Sequence, residues 1–208
     1  MAILNKKSRS ALYDPLVKTN PISLSVLGIC SALAVTIRVD QALIMTGAVI
    51  FVLSASNTII SVMRKYIPSR TRIIIQLAII AGLVSLIDQV LMAYMYDMSK
   101  QLSVFVSLIV TNCIVMGRAD AYAMQNPAGN SFLDGLGNGF GYGAILIAVA
   151  FFRELFGSGT IYGISMIPDF VYNLGYENLG LMVLSPGAFI VLGLIVWFQK
   201  EIWKEKVK

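Results

Sequence analysis

The sequence predicts an all-α integral membrane protein: six transmembrane helices in two inverted three-helix repeats, the first helix of each repeat short or broken. Three observations lead there. Of 208 residues, 57% are hydrophobic and 13% charged, against about a quarter charged in a typical soluble domain. Six apolar runs lie between polar stops. The two shortest runs each hold one of the chain's two cysteines and open the two halves of the sequence.

The first run, residues 22–37, follows the start signal Asn20-Pro21 and stops at Arg38-Val39-Asp40. The second runs from Gln41 to about Val62 and ends at Arg64-Lys65. The third, from Ile73 to about Met95, is interrupted by Asp88 and closes on Tyr94 and Tyr96, an interfacial aromatic pair. The fourth, residues 102–117, is followed by Arg118-Ala119-Asp120. The fifth, from about Leu136 to Phe152, stops at Arg153-Glu154, and the sixth, from about Leu179 to Phe198, contains Pro186 and enters a lysine-rich tail.

Runs two, three, five and six reach the usual length of a spanning helix. The first and fourth have sixteen residues each, which at about 1.5 Å per residue cover only ~24 Å of a roughly 30 Å hydrocarbon core. Two arrangements accommodate them: tilted helices in a thinned bilayer, or broken helices buried in protein.

Six spans place both termini on one side. That side carries thirteen of the sixteen Lys and Arg residues, leaving Arg38, Lys100 and Arg153 on the other, so both termini are expected in the cytoplasm. The basic run Lys6, Lys7, Arg9 before apolar residues ending Ala32-Leu33-Ala34 imitates a secretory signal; it reads as retained. The chain reads as a single membrane domain, residues 1–208, with repeat one about 21–96 and repeat two about 102–199. Because three spans are an odd number, the second half enters the membrane from the opposite face. Short segments at matching places in two inverted halves point to a midplane site.

The net charge of +5 belongs to loops that set orientation and is no nucleic-acid footprint. Absence of histidine removes the commonest general base and metal ligand. Cys30 and Cys113 admit three readings: small apolar residues in a membrane core, a disulfide, which a reducing cytoplasm disfavours, or metal ligands. Two thiolates without histidine cannot complete a zinc or iron–sulfur site. The metal reading therefore needs a homologous partner's two cysteines, making four thiolates around a [2Fe–2S] cluster or a single iron.

Asp88 is the one carboxylate well inside an apolar run. Ionised near the bilayer centre it costs roughly 2.5–3.5 kcal/mol on the translocon scale, so it faces a partner, water or a cation, or approaches the outer interface. The glycines at 135, 137, 139, 141 and 143 lack the strand and downstream acid of a dinucleotide fingerprint. They form interleaved GxxxG series, a helix-packing signal. Arg38, Asp40, Arg118 and Asp120 mark membrane boundaries with local salt bridges, and the basic tail favours anionic lipid.

The segments NCIVMGRADAYAM (112–124), VLGICSALAV (26–35), YDMSKQLSVFV (96–106), SFLDGLGNG (131–139) and FFRELFGSG (151–159) together resemble the D-type membrane subunits of the bacterial sodium-translocating NADH:quinone oxidoreductases (Nqr). The resemblance extends over residues 21–198. It implies six spans with inverted repeats, a pseudosymmetric pairing with the homologous E-type subunit of Nqr, and an iron centre shared in mid-membrane, whose two family cysteines map onto Cys30 and Cys113. It also implies a place in the bacterial inner membrane, Na+ as the transported ion, and NADH, flavins and quinone carried by other subunits. The chain has Asp120 where the family is expected to show glutamate, and Gly157-Ser158-Gly159-Thr160 lacks the Ser/Thr-Gly-Ala-Thr pattern of flavinylated subunits. Asp88 becomes the candidate for the cation pathway. The equivalent subunit of the Rnf complex and a metal-free secondary transporter with inverted repeats are the alternative readings, YDMSKQLSVFV favouring Nqr.

Overall fold

Three apolar runs become long continuous helices. The computed structural model describes residues 22, 27–68, 70–94, 107–161, 164–165 and 180–206. Among these, α2 (Val39–Met63), α3 (Arg72–Tyr94) and α5 (Ala128–Ser158) are long and apolar enough to cross a membrane. At about 1.5 Å per residue each exceeds a roughly 30 Å hydrocarbon core.

The cysteine-bearing runs are broken. Helix α1 (Ile29–Val35) has only seven residues and follows Gly28, whose φ of 84° is left-handed. Helical residues 107–110 stop before Asn112, which is extended, and α4 (Cys113–Arg118) then starts afresh before widening into a π-helical stretch, Ala119–Ala123. The sixth run is also interrupted: α6 (Gly180–Val183) ends, Leu184 intervenes, and α7 (Ser185–Lys206) begins with Pro186 in its first turn, where proline's missing N–H costs nothing. A two-residue antiparallel pair, β1 (Thr160–Ile161) with β2 (Ile164–Ser165), follows α5 within an otherwise helical frame among the described residues. The expected features at Lys6, Lys7, Arg9, Tyr96 and Lys100 lie outside the described residues.

Helix α5 begins at Ala128, eight residues before the expected start near Leu136. Its glycines explain both the miss and the fold. Gly135, Gly139 and Gly143 lie on α2: a Cβ at Gly135 would sit 2.7 Å from Ser54 Cα, one at Gly139 2.9 Å from Ile50 Cγ1, and one at Gly143 would collide with Thr46 Cγ2. This is the close backbone approach of a GxxxG face. Core residues of the two helices, including Met45, Val49, Leu53, Tyr142, Leu146 and Val149, close the interface.

The pair Arg153-Glu154 does not stop the fifth run. Both residues are buried, 2% and 3% exposed, and α5 continues past them to Ser158 before capping on left-handed Gly159. Arg153 donates from Nη1 to Leu33 O and Thr36 Oγ1, from Nε to Met182 O, and from Nη2 to Val183 O. Glu154 Oε2 accepts from the Val39 N–H at 2.6 Å, at the start of α2. These charges face backbone left open by helix ends and so remain inside the protein.

Local pairing holds for Arg38–Asp40, at 3.0 Å, but not for Arg118 and Asp120. Arg118 pairs with Asp134 of α5, and Asp120 pairs at 2.9 Å with Arg72 of α3. Residues two apart on a helix point to different faces, whereas Arg38 is extended and outside its helix, free to fold back.

Helix α3 is the least enclosed long helix: 17% of its most apolar window is buried, against 61% for α5. Its exposed Ile73, Ile74, Leu86 and Val90 lie on several sides of the helix and suit hydrocarbon or other apolar helices.

Gly143→Ala is expected to destabilise the protein by about 1–3 kcal/mol through overpacking against Thr46, while Gly47→Ala, whose added Cβ meets nothing within 4 Å inside α2, should raise stability by up to about 1 kcal/mol. Thermal unfolding of the two purified variants checks the contrast.

Candidate functional site

Both cysteines stand in the first turn of their short helices. Cys30 is the second residue of α1 and Cys113 the first of α4; both are free and exposed. The amides of a first turn lack intrahelical acceptors.

Behind the cysteines, their chain neighbours are tied together. Asn112 Nδ2 donates to Ser31 Oγ at 3.0 Å, bridging the residue before Cys113 and the residue after Cys30. Ser31 Oγ donates to Gly28 O at 3.0 Å, turning α1 back on its own start. The Tyr142 hydroxyl of α5 lies 2.6 Å from the same Ser31 oxygen. Ser31's single proton is engaged with Gly28, so its two lone pairs are left to accept from Asn112 and Tyr142. Asn112 Oδ1 in turn accepts from Ile114 N at 3.3 Å, capping α4. Ser31, Asn112 and Tyr142 are 3%, 4% and 0% exposed, so the network is shielded from solvent while both thiols face outward.

The donor set decides what this chain can hold. Among the described residues no group of three or more Cys, Asp, Glu or His comes together in a way that could hold a metal ion. The two exposed thiols are two ligands at most, and a four-thiolate site needs four. They are not paired with each other in a disulfide.

Asp88 is not part of this cluster. It lies sixteen residues along continuous α3 from Arg72, ~24 Å by helical rise. It is partly buried, and its Oδ1 is enclosed without a hydrogen-bond partner among the described residues. Neighbouring Leu86, Ile87, Val90 and Leu91 line a groove of about 420 Å³ with α2 residues such as Leu43 and Phe51.

A second polar cluster joins α4 to α5. Arg118 makes a two-pronged contact with Asp134, Nε to Oδ2 at 3.0 Å and Nη2 to Oδ1, and its guanidinium lies 5.2 Å from the centre of the Tyr122 ring. The Asp134 side chain is 2% exposed.

Sequence reasoning singled out Cys30, Cys113 and Asp88 but missed Gly28, Ser31, Asn112, Tyr142 and Asp134. Asn112 carried a legible signal, since asparagine preceding a helix start is a preferred N-cap. Tyr142 gave none, lying among glycines that read as packing.

Exposed thiols on two short helices inside an apolar helical frame describe a helical membrane protein with free cysteines at its surface. Sequence comparison specifies the class. The profile described as "Rnf-Nqr subunit, membrane protein" matches residues 8–196, and the chain belongs to this Rnf-Nqr family. It is 56% identical over 203 residues to the D-type subunit of the Na(+)-translocating NADH-quinone reductase of Proteus mirabilis, covering 98% of this chain and 97% of that protein. Identity to the D-type subunits of the same reductase in Pasteurella multocida and Shewanella halifaxensis is 55% and 52%, each over 98% of this chain and 98% and 97% of the relatives.

Arg118→Met, which leaves the buried Asp134 carboxylate unpaired, is expected to cost roughly 3–5 kcal/mol, and adding Asp134→Leu should recover most of it. Thermal unfolding of the single and double variants reads the difference.

Proposed function

We propose that this chain is the D-type subunit of a sodium-translocating NADH:quinone oxidoreductase, and that Cys30 and Cys113 supply half the ligands of an iron centre, a [2Fe–2S] cluster or single iron, completed by the homologous E-type subunit. The observation that carries the site is the joining of Ser31 to Asn112, which brings the two cysteine-bearing breaks to one place. The near full-length relatives all carry the name of the D-type subunit of this reductase, and that supports the complex.

In this reading the two short helices belong to two inverted repeats of a six-span protein in the bacterial inner membrane, with both termini cytoplasmic. An iron centre supplies one-electron transfer partway through the bilayer. The chain's own work is to hold two thiolates at the interface with its partner, keep the backs of both elements dry, and cover the broken backbone. NADH, flavin and quinone belong to other subunits. Asp88, whose Oδ1 is enclosed without a hydrogen-bond partner among the described residues, is the candidate for handling Na+.

Purified with its partner, the protein should retain iron and show a redox-active centre, and Cys30→Ser or Cys113→Ser should abolish that signal while flavin elsewhere in the complex stays bound. A folded, active complex without iron would overturn the site; iron retained in both serine variants would remove the cysteines from it.

Asp88→Asn should raise the Na+ concentration giving half-maximal quinone reduction. An unchanged Na+ dependence would take Asp88 off the ion path.

A further inference from the structure

Each element carrying a thiol is too short to hold its own position. Helix α1 has seven residues and α4 has six, well below the length at which a helix persists by itself. Their geometry must come from tertiary contacts, and the polar contacts behind the cysteines converge on one atom, Ser31 Oγ. It touches Gly28 O within α1, Asn112 Nδ2 ahead of α4, and Tyr142 OH on α5.

The packing is closed around the same point. A Cβ at Gly28 would lie 2.8 Å from Tyr142 Cε2 and 3.3 Å from Asn112 Oδ1. The left-handed φ of Gly28 and the missing side chain both fit the ring to the break. Neither Tyr142 nor Asn112 has solvent to fall back on, at 0% and 4% exposure.

We propose that Tyr142, Ser31 and Asn112 form a positioning device for the thiols: the three-way hydrogen bond at Ser31 Oγ holds the Cys30 and Cys113 elements in one frame before any metal is bound. Tyr142 is the post, because it alone of the three sits on a long helix. Asn112 is the tie, its two ends serving different helices, with Oδ1 on α4 and Nδ2 on α1. The cysteines are one residue beyond the tied pair on each side, so their Cα atoms are each displaced by about 3.8 Å from the bonded residues. The inference rests on the iron-centre reading for its purpose but not for its geometry.

The test uses the purified complex stripped of iron with a chelator, treated with the shortest bismaleimide, and scored by mass spectrometry for the Cys30–Cys113 cross-linked peptide. Wild type should cross-link efficiently. Tyr142→Phe keeps the ring against Gly28 and removes the hydroxyl; Asn112→Asp keeps the cap acceptor and removes the donor. Each variant should lower the cross-link yield roughly fivefold, the population equivalent of about one buried hydrogen bond. In iron-loaded complex each should also alter the electron paramagnetic resonance spectrum of the reduced centre and speed iron loss to chelator, with unfolding still cooperative. Wild-type yields in both variants, or no cross-link in iron-free wild type, would overturn the device. A wild-type complex that cross-links but never holds iron would leave the device standing and overturn the iron reading instead.

Discussion

A helix broken inside an apolar medium leaves amides and carbonyls that lipid cannot satisfy, each at a cost of several kcal/mol. This chain has breaks before Cys30, before Cys113 and at Leu184. At Leu184 and at the junction of α1 with α2, the residues that make this tolerable are Arg153 and Glu154. Arg153 binds carbonyls at the end of α1 and across the α6–α7 break, while Glu154 binds the first amide of α2. A cation meets helix C-termini and an anion meets a helix N-terminus, each at the end whose partial charge it complements. Without these two residues, three helix ends would lose their side-chain partners inside the protein.

Both residues sit on α5, and so does Tyr142. The same helix thus grips α1 twice, through Arg153 at Leu33 and Thr36 and through Tyr142 at Ser31. On another face its glycines let α2 approach to backbone contact. The two demands are linked. Only a helix clamped closely against a second long helix can serve as a fixed reference for elements six and seven residues long. Glycine lowers the intrinsic stability of α5, and the helix persists because the α2 interface supplies what its own sequence does not.

This division explains which parts could be read from sequence. The long apolar runs at α2 and α3 were legible because hydropathy reports exposure to lipid, and α3 exposes most of its surface. The mismatch between a sixteen-residue run and the bilayer exposed the cysteine segments, and alternate glycines announced close packing. Sequence reading failed where polar residues face protein. Asp134 lies ahead of the fifth run expected from about Leu136 but is buried within α5; Arg153-Glu154 looked like a membrane boundary but caps buried backbone. Arg118 and Asp120 looked like a local pair, but each answers a residue distant in sequence. A local rule has no access to those partners.

The two cysteine breaks are alike in position and unlike in construction, and the difference is physical. Before Cys113 the cap is an asparagine side chain; before Cys30 it is a bare glycine with no side-chain cap. A side chain at residue 28 would need the space filled by the Tyr142 ring and Asn112 Oδ1. One break therefore supplies the connecting side chain and the other supplies the room for it. Strict repetition of either solution would fail: two side-chain caps would collide, and two glycines would remove the bond between Ser31 and residue 112 and leave the start of α4 without its side-chain cap. The sequence asymmetry between Gly28 and Asn112 is what allows one buried network to join both cysteine-bearing elements while both thiols stay exposed.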